Sequence, residues 1–170
     1  MISLLTAFYS YLIFFGFIGF FRGWARELLV TFALIVALFL DTVILRILGL
    51  EAFFLTSDSL VQFSLRAVIF LALAFFGYQS PALSNILSNR SRREKLQDSL
   101  LGLVLGLLNG YLFIGTLWHY LAQAGYGIPG ITPPSPDPWI IAWLPPLILN
   151  DTLLFVAVAV AFVFVLIVFV

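Results

Sequence analysis

The sequence predicts an all-α membrane protein: a helical bundle of about five transmembrane helices with one short interfacial amphipathic helix. Three observations predict it. Apolar residues make up 63% of the chain and charged residues only 9%, with a mean hydropathy of +1.15, against roughly 25% charged residues in an ordinary soluble domain. The apolar residues come in runs of about 20, the length an α-helix needs to cross a hydrocarbon core near 30 Å thick. The charges fall mostly between those runs.

The first run covers about Ile2 to Phe21 and stops at Arg22-Gly23-Trp24-Ala25-Arg26-Glu27, where three charges in six residues mark a membrane boundary. It lacks the basic start and small-residue cleavage site of a secretory signal, so it reads as a retained span. The second run, about Leu28 to Leu48, carries Asp41 and Arg46 in its second half. Thr56 to Ser59 then supplies capping residues, with Ser59 and Gln62 at capping-box spacing, and a third run follows from about Leu60 to Tyr78.

Pro81 ends that run. Between Ala82 and Asn89 the apolar residues Ala82, Leu83, Ile86 and Leu87 share one helical face, and Arg90, Arg92, Arg93 and Lys95 follow at once. This is the pattern of a short helix lying in the interface. The fourth run, about Ser99 to Leu121, is closed by Gly125, Gly127, Pro129 and Gly130 and followed by a proline-rich loop. Trp139 to Leu149 is apolar but too short to span, and its tryptophans suit the headgroup layer. Thr152 to Val170 holds fifteen Leu, Ile, Val or Phe residues and reads as a fifth span. Its many valines do not make it a strand, because a lone strand in lipid leaves its backbone unpaired. The chain thus divides into a four-helix core over residues 1–122, a proline-rich extracytoplasmic loop with the tryptophan segment over 123–151, and a last helix over 152–170.

Lysines and arginines set the threading. Two follow the first span, none the second, four the third and none the fourth. By the positive-inside rule the N-terminus and the proline-rich loop lie outside and the C-terminus lies in the cytoplasm. Arg90, Arg92, Arg93 and Lys95 serve as a topology determinant or bind anionic lipid, at about 1 kcal/mol per basic residue.

Arg46 and Arg66 run against the simple rule. Asp41 lies roughly 20 Å beyond the inner boundary and Arg66 about 9 Å in from the outer one, so the two depths nearly coincide. An unpaired charge there costs on the order of 2.5–3.5 kcal/mol, which predicts that Asp41 faces Arg66 across neighbouring helices while Arg46 snorkels outward. Such a pair acts either as an interhelical tie or as part of an ion or proton relay. The tie is favoured, because no second intramembrane acid continues a path.

Gly102, Gly106 and Gly110 recur every four residues in the fourth helix, forming a groove that admits another backbone. Gly16, Gly19 and Gly23 make a similar face on the first helix, and the two faces are expected to meet. Arg22, Arg26, Glu27 and Asp98 all fall at the inner interface, where pairs of Arg and carboxylate lock the first and fourth helices together. The alternative is that they are ordinary boundary charges.

The stretch Gly19-Phe20-Phe21-Arg22-Gly23-Trp24-Ala25-Arg26-Glu27-Leu28, together with Asp98 followed by Gly102, Gly106 and Asn109-Gly110, resembles the colicin V production protein family, CvpA. The likeness covers about residues 1–122. It departs at Asn109, where the family commonly has arginine, and in everything after the fourth helix. The resemblance implies a four-span core in the bacterial cytoplasmic (inner) membrane, with both ends of that core outside. It also implies a role in toxin peptide production or export and in envelope maintenance, without a defined reaction.

Other classes find little support. With no cysteine there is no disulfide framework, thiolate metal site or thiol nucleophile, and a single histidine, His119, argues against a metal cluster. His119 lies between Trp118 and Tyr120, where amphipathic rings collect, rather than in a cofactor motif. Ser80, Ser84, Ser88 and Ser91 have no neighbouring base in any nucleophile motif, so no enzyme and no cofactor is expected. Eight basic and eight acidic residues give zero net charge and no footprint for nucleic acid. The expected partners are the lipid bilayer and other membrane proteins, or further copies of the chain. The function expected is that of a non-catalytic, export-associated membrane component, with an accessory subunit of a larger complex or a small transporter or channel as alternatives. An intramembrane enzyme would need a polar cavity around His119 or Asp41.

Overall fold

The computed structural model describes residues 3–47, 49, 58–78, 92–128, 130–131, 133–134 and 139–169. Among these every regular element is helical. The helices are α1 (Leu4–Arg22), α2 (Trp24–Ile47), α3 (Ser59–Tyr78), α4 (Arg92–Gln123), α5 (Pro145–Ile148) and α6 (Asp151–Phe169), with a 3-10 turn at Trp139–Trp143 before α5. The segment 82–89, predicted to lie in the interface, and the serines 80, 84, 88 and 91 fall outside the described residues.

Local chemistry sets the helix ends. Ser3 caps α1, its hydroxyl accepting the Thr6 N–H at 3.1 Å. The break between α1 and α2 is a single residue, Gly23, at φ 83° and ψ 159°, a combination open essentially to glycine alone. Asp58, not Ser59, precedes the first turn of α3, its carbonyl accepting the Gln62 N–H at 2.9 Å. The end of α4 is a Schellman turn: Gly125 at φ 66° lets Tyr126 N–H reach the Leu121 carbonyl at 3.1 Å and Gly125 N–H the Ala122 carbonyl at 3.0 Å.

α4 begins earlier than the hydropathy suggests. Arg92, Arg93 and Lys95, expected in a loop, form its first turns, because Arg, Glu, Lys, Leu and Gln are strong helix formers and no Gly or Pro intervenes before Gly102. At 32 residues it is about 48 Å long, about 18 Å longer than the thickness of a 30 Å hydrocarbon core.

α1 lies along α4 in the most extensive helix pairing of the chain, and α2 packs against α3 and α4, with α6 on its outer side. The main core joins Val30, Leu34 and Leu38 of α2, Phe70 of α3, Leu112 of α4 and Leu154 of α6, so the last helix shares one core with the others. A second cluster joins Phe8, Trp118, Ile140 and Leu144. The segment Trp139–Ile148 is partly packed into the bundle. Trp139 and Trp143 are exposed, but Leu144 and Pro145 are buried, and Pro145 lies against Gly115. Gly115 is eight residues below the end of α4 at Gln123, so the segment reaches about 12 Å down the helix.

The perimeter is apolar. Phe14, Phe17, Phe21, Val104, Phe155 and Phe162 are all more than half exposed. Two helical stretches, Leu4–Arg22 and Lys95–Gln123, are long and apolar enough to cross a membrane, and Ser59–Phe75 and Asp151–Phe164 are shorter apolar helices.

Candidate functional site

Two polar centres are buried in the bundle. The inner one forms around Gly23. Because one residue joins α1 to α2, Arg22 at the end of α1 reaches forward to Glu27 in the first turn of α2, with Nη1 2.8 Å from Oε1. The Glu27 side chain is fully buried, so its second oxygen also needs a donor. Asn109 of α4 supplies it, donating from Nδ2 to Glu27 Oε2 at 2.8 Å and to the Glu27 carbonyl at 2.9 Å. The Thr31 hydroxyl lies 2.7 Å from Asn109 Oδ1 and 3.0 Å from the same carbonyl.

On the other side of the junction, Asp98 of α4 accepts the Trp24 N–H at 3.2 Å. Its carboxylate thus sits at the N-terminus of α2, where the helix dipole favours negative charge. A Cβ on Gly23 would stand 2.7 Å from Asp98 Oδ2. The close approach is made possible by glycines on both sides. A Cβ at Gly19 would be 2.8 Å from the Gly106 Cα, one at Gly102 would be 3.0 Å from Gly23, and one at Gly106 would be 3.0 Å from Gly19. Gly16 and Gly110 meet side chains instead, those of Leu107 and Phe15.

The outer centre lies 14 residues further along α2, about 21 Å away. Arg66 Nη2 of α3 donates to Asp41 Oδ2 at 2.7 Å, and both residues are buried. The guanidinium also bonds Gln123 through Nη1 and lies over the Tyr120 ring, 4.2 Å from its centroid, a stacking worth about 2 kcal/mol where desolvated. Three helices thus hold one cation. Beside the pair is a cavity of about 200 Å³ bordered by Asp41, Thr42, Arg66, His119, Asn150 and Asp151. His119 is 8% exposed and belongs to this cavity wall rather than to a surface belt. Between the two centres, Leu34, Ala37, Phe70 and Leu112 pack into a dry layer.

No family model, curated protein or solved structure matches the chain.

The structure brings together Asp41 with Arg66, Arg22 with Glu27, and the Gly19 and Gly23 backbone with Gly102 and Gly106. Asp98 joins the inner centre through the N-terminus of α2, accepting the Trp24 N–H. Among the described residues Arg26 takes no part in the bonds of Glu27. Arg90 and the Arg46, Arg92 and Arg93 side chains lie outside the described residues, and Lys95 is exposed. No group of three or more His, Asp or Glu residues placed to hold a metal occurs among the described residues.

Asn109 and Thr31 were not singled out as site residues by sequence reasoning. The available signals were an amide in an otherwise apolar helix face, and a threonine one turn after Glu27. The Asn150, Asp151 and Thr42 contribution to the cavity has no linear signal, because it depends on how far residues 139–148 penetrate the bundle.

Proposed function

We propose that the chain is a multi-pass integral membrane protein of the CvpA type, acting as a non-catalytic component of toxin peptide export or envelope maintenance in the bacterial inner membrane. In this reading α1, α2, α3, α4 and α6 cross the bilayer, with the N-terminus outside and the C-terminus in the cytoplasm. One observation carries it: the buried carboxylates Glu27 and Asp41 are paired with arginines inside the bundle while large apolar side chains cover its perimeter. In water that arrangement exposes the apolar surface and buries the costly groups. In lipid both become favourable, since the solvent is apolar and each buried charge has its partner.

The absence of cysteine makes the test direct. Single cysteines at Lys95 and Trp139 should react with an impermeant maleimide from opposite faces, Trp139→Cys in intact spheroplasts and Lys95→Cys only in inverted vesicles. Labelling of both from one face overturns the threading. Removal of the gene should lower release of toxin peptide or weaken the envelope barrier, and a null strain unchanged in both overturns the functional part.

A small transporter is the second reading, favoured by the polar cavity at Asp41, Arg66 and His119. The dry layer beneath it favours the structural reading instead. Asp41→Asn separates them: loss of assembled protein supports the tie, whereas a folded protein lacking solute flux supports transport.

A further inference from the structure

The polar cavity is not isolated. Thr42, Asp151 and Leu154 form walls of both this cavity and an apolar crevice of about 160 Å³ between α2 and α6. The crevice is otherwise bordered by Phe39, Val43, Ile47 and Phe155, of which Ile47 and Phe155 are 76% and 57% exposed to the surroundings. Seen from the perimeter, an apolar slot opens sideways directly beside a polar chamber, the two divided by these three residues.

We propose that the slot and the chamber together bind a neutral amphiphile with a single hydrocarbon tail. The tail lies in the crevice between α2 and α6, and carbonyl or hydroxyl oxygens of the head bond beside His119 and Asn150. The inference rests on the membrane reading, since the slot would then open into the hydrocarbon of the outer leaflet.

Three features select this ligand chemistry. A chamber of about 200 Å³ holds about seven water volumes at roughly 30 Å³ each, room for a small head but not for a large sugar or peptide. Asp41 and Arg66 neutralise each other at 2.7 Å, so the chamber offers hydrogen bonds rather than a net positive charge. A phosphate head would find the Arg66 guanidinium already occupied by the Asp41 carboxylate. Asn150 accepts the Leu153 N–H through Oδ1 at 3.0 Å, which leaves its amide N–H groups to donate to a ligand oxygen, and the His119 imidazole offers both a donor and an acceptor. Isoprenoid quinones and monoacyl glycerolipids share this chemistry.

The full chain in lipid nanodiscs is photolabelled with a monoacylglycerol carrying a diazirine in its tail, and the crosslinks are mapped by mass spectrometry. Saturable labelling is expected within residues 39–47 and 151–155. It should be displaced by decylubiquinone or by monoolein, the better competitor identifying the source, and by lysophosphatidic acid about tenfold or more weakly, a difference of about 1.4 kcal/mol. Val43→Trp fills the slot and should abolish saturable labelling. Should that variant not fold, the competition series on the unaltered chain decides alone. Labelling that never saturates and spreads around the bundle, persistence in folded Val43→Trp, or equal competition by lysophosphatidic acid overturns the proposal. Alkaline carbonate extraction of the native membranes separates the two failures: release of the protein defeats the membrane reading, while retention with unsaturable labelling defeats only this site.

Discussion

Gly16 and Gly19 are one turn apart on the same face of α1, and spacing alone makes them equivalent; the structure ranks them. A Cβ at Gly19 would meet only backbone, 2.8 Å from the Gly106 Cα and 3.0 Å from the Gly102 carbonyl carbon, with the Gly102 oxygen closer still. Restoring an ordinary 3.4 Å contact to the Gly106 Cα alone requires the helices to part by about 0.6 Å, and a radial gap of about 0.5–1 Å forfeits a quarter to a half of the dispersion attraction. Overpacking of this kind costs about 1–3 kcal/mol, and the better helix propensity of alanine offsets up to about 1 kcal/mol of it. Gly19→Ala should therefore destabilise the bundle by about 1–2 kcal/mol. At Gly16 the nearest atoms are the Leu107 Cδ2 and Cγ, at 2.9 and 3.1 Å, the end of a side chain that can rotate away. Gly16→Ala should range from neutral to stabilising by up to about 1 kcal/mol, the propensity gain less the cost of turning Leu107 aside. Reversible unfolding in mixed micelles, followed by tryptophan emission, measures both, since Trp24 lies at the α1–α2 junction and Trp118 is buried against Phe8. Equal effects of the two substitutions, or a neutral Gly19→Ala, would refute the close-contact reasoning.

Arg66→Met leaves Asp41 buried without its cation and should cost about 3–5 kcal/mol, whereas Asp41→Leu combined with Arg66→Met should recover most of that loss. A double variant as unstable as the two singles added together speaks against a coupled pair. Asp98→Ala removes the acceptor of the Trp24 N–H and should cost about 1 kcal/mol or more in the same unfolding assay, with Asp98→Asn recovering only part of it, because an amide oxygen still accepts while the charge at the helix N-terminus is lost. Asn109→Leu strips Glu27 and Thr31 of their partner; a loss of about 1–3 kcal/mol is expected, with faster hydrogen exchange confined to residues 27–31, and unchanged exchange there would sink the assignment.

The parts of this architecture legible in the sequence are those with a linear period. Runs near 20 residues mark the helices, four-residue glycine spacing marks the groove on α4, and the cost of a lone buried charge singles out Asp41 and Arg66 as candidates for each other. The parts that were not legible depend on depth and register. Lys95 reads as a loop residue because charge marks a membrane boundary, but helix propensity continues through it and α4 absorbs the boundary. His119 reads as a belt residue from its neighbours Trp118 and Tyr120, yet burial is decided by residues 139–151, which fold back from thirty positions away. Asn109 reads as one amide in an apolar helix face, and its bonds to Glu27 appear only once α2 and α4 are placed side by side.

The one-residue junction at Gly23 has a bearing on biogenesis. Arg22 and Glu27 emerge from the ribosome only five positions apart and can neutralise each other as soon as α1 and α2 form. Asp98 and Asn109 are translated more than 70 residues later, so the kink remains unbraced and half of the Glu27 carboxylate remains unmet until the fourth helix arrives. The two ends of one short turn are thus completed by residues far downstream, so the junction reaches its final set of bonds only in the full four-helix arrangement.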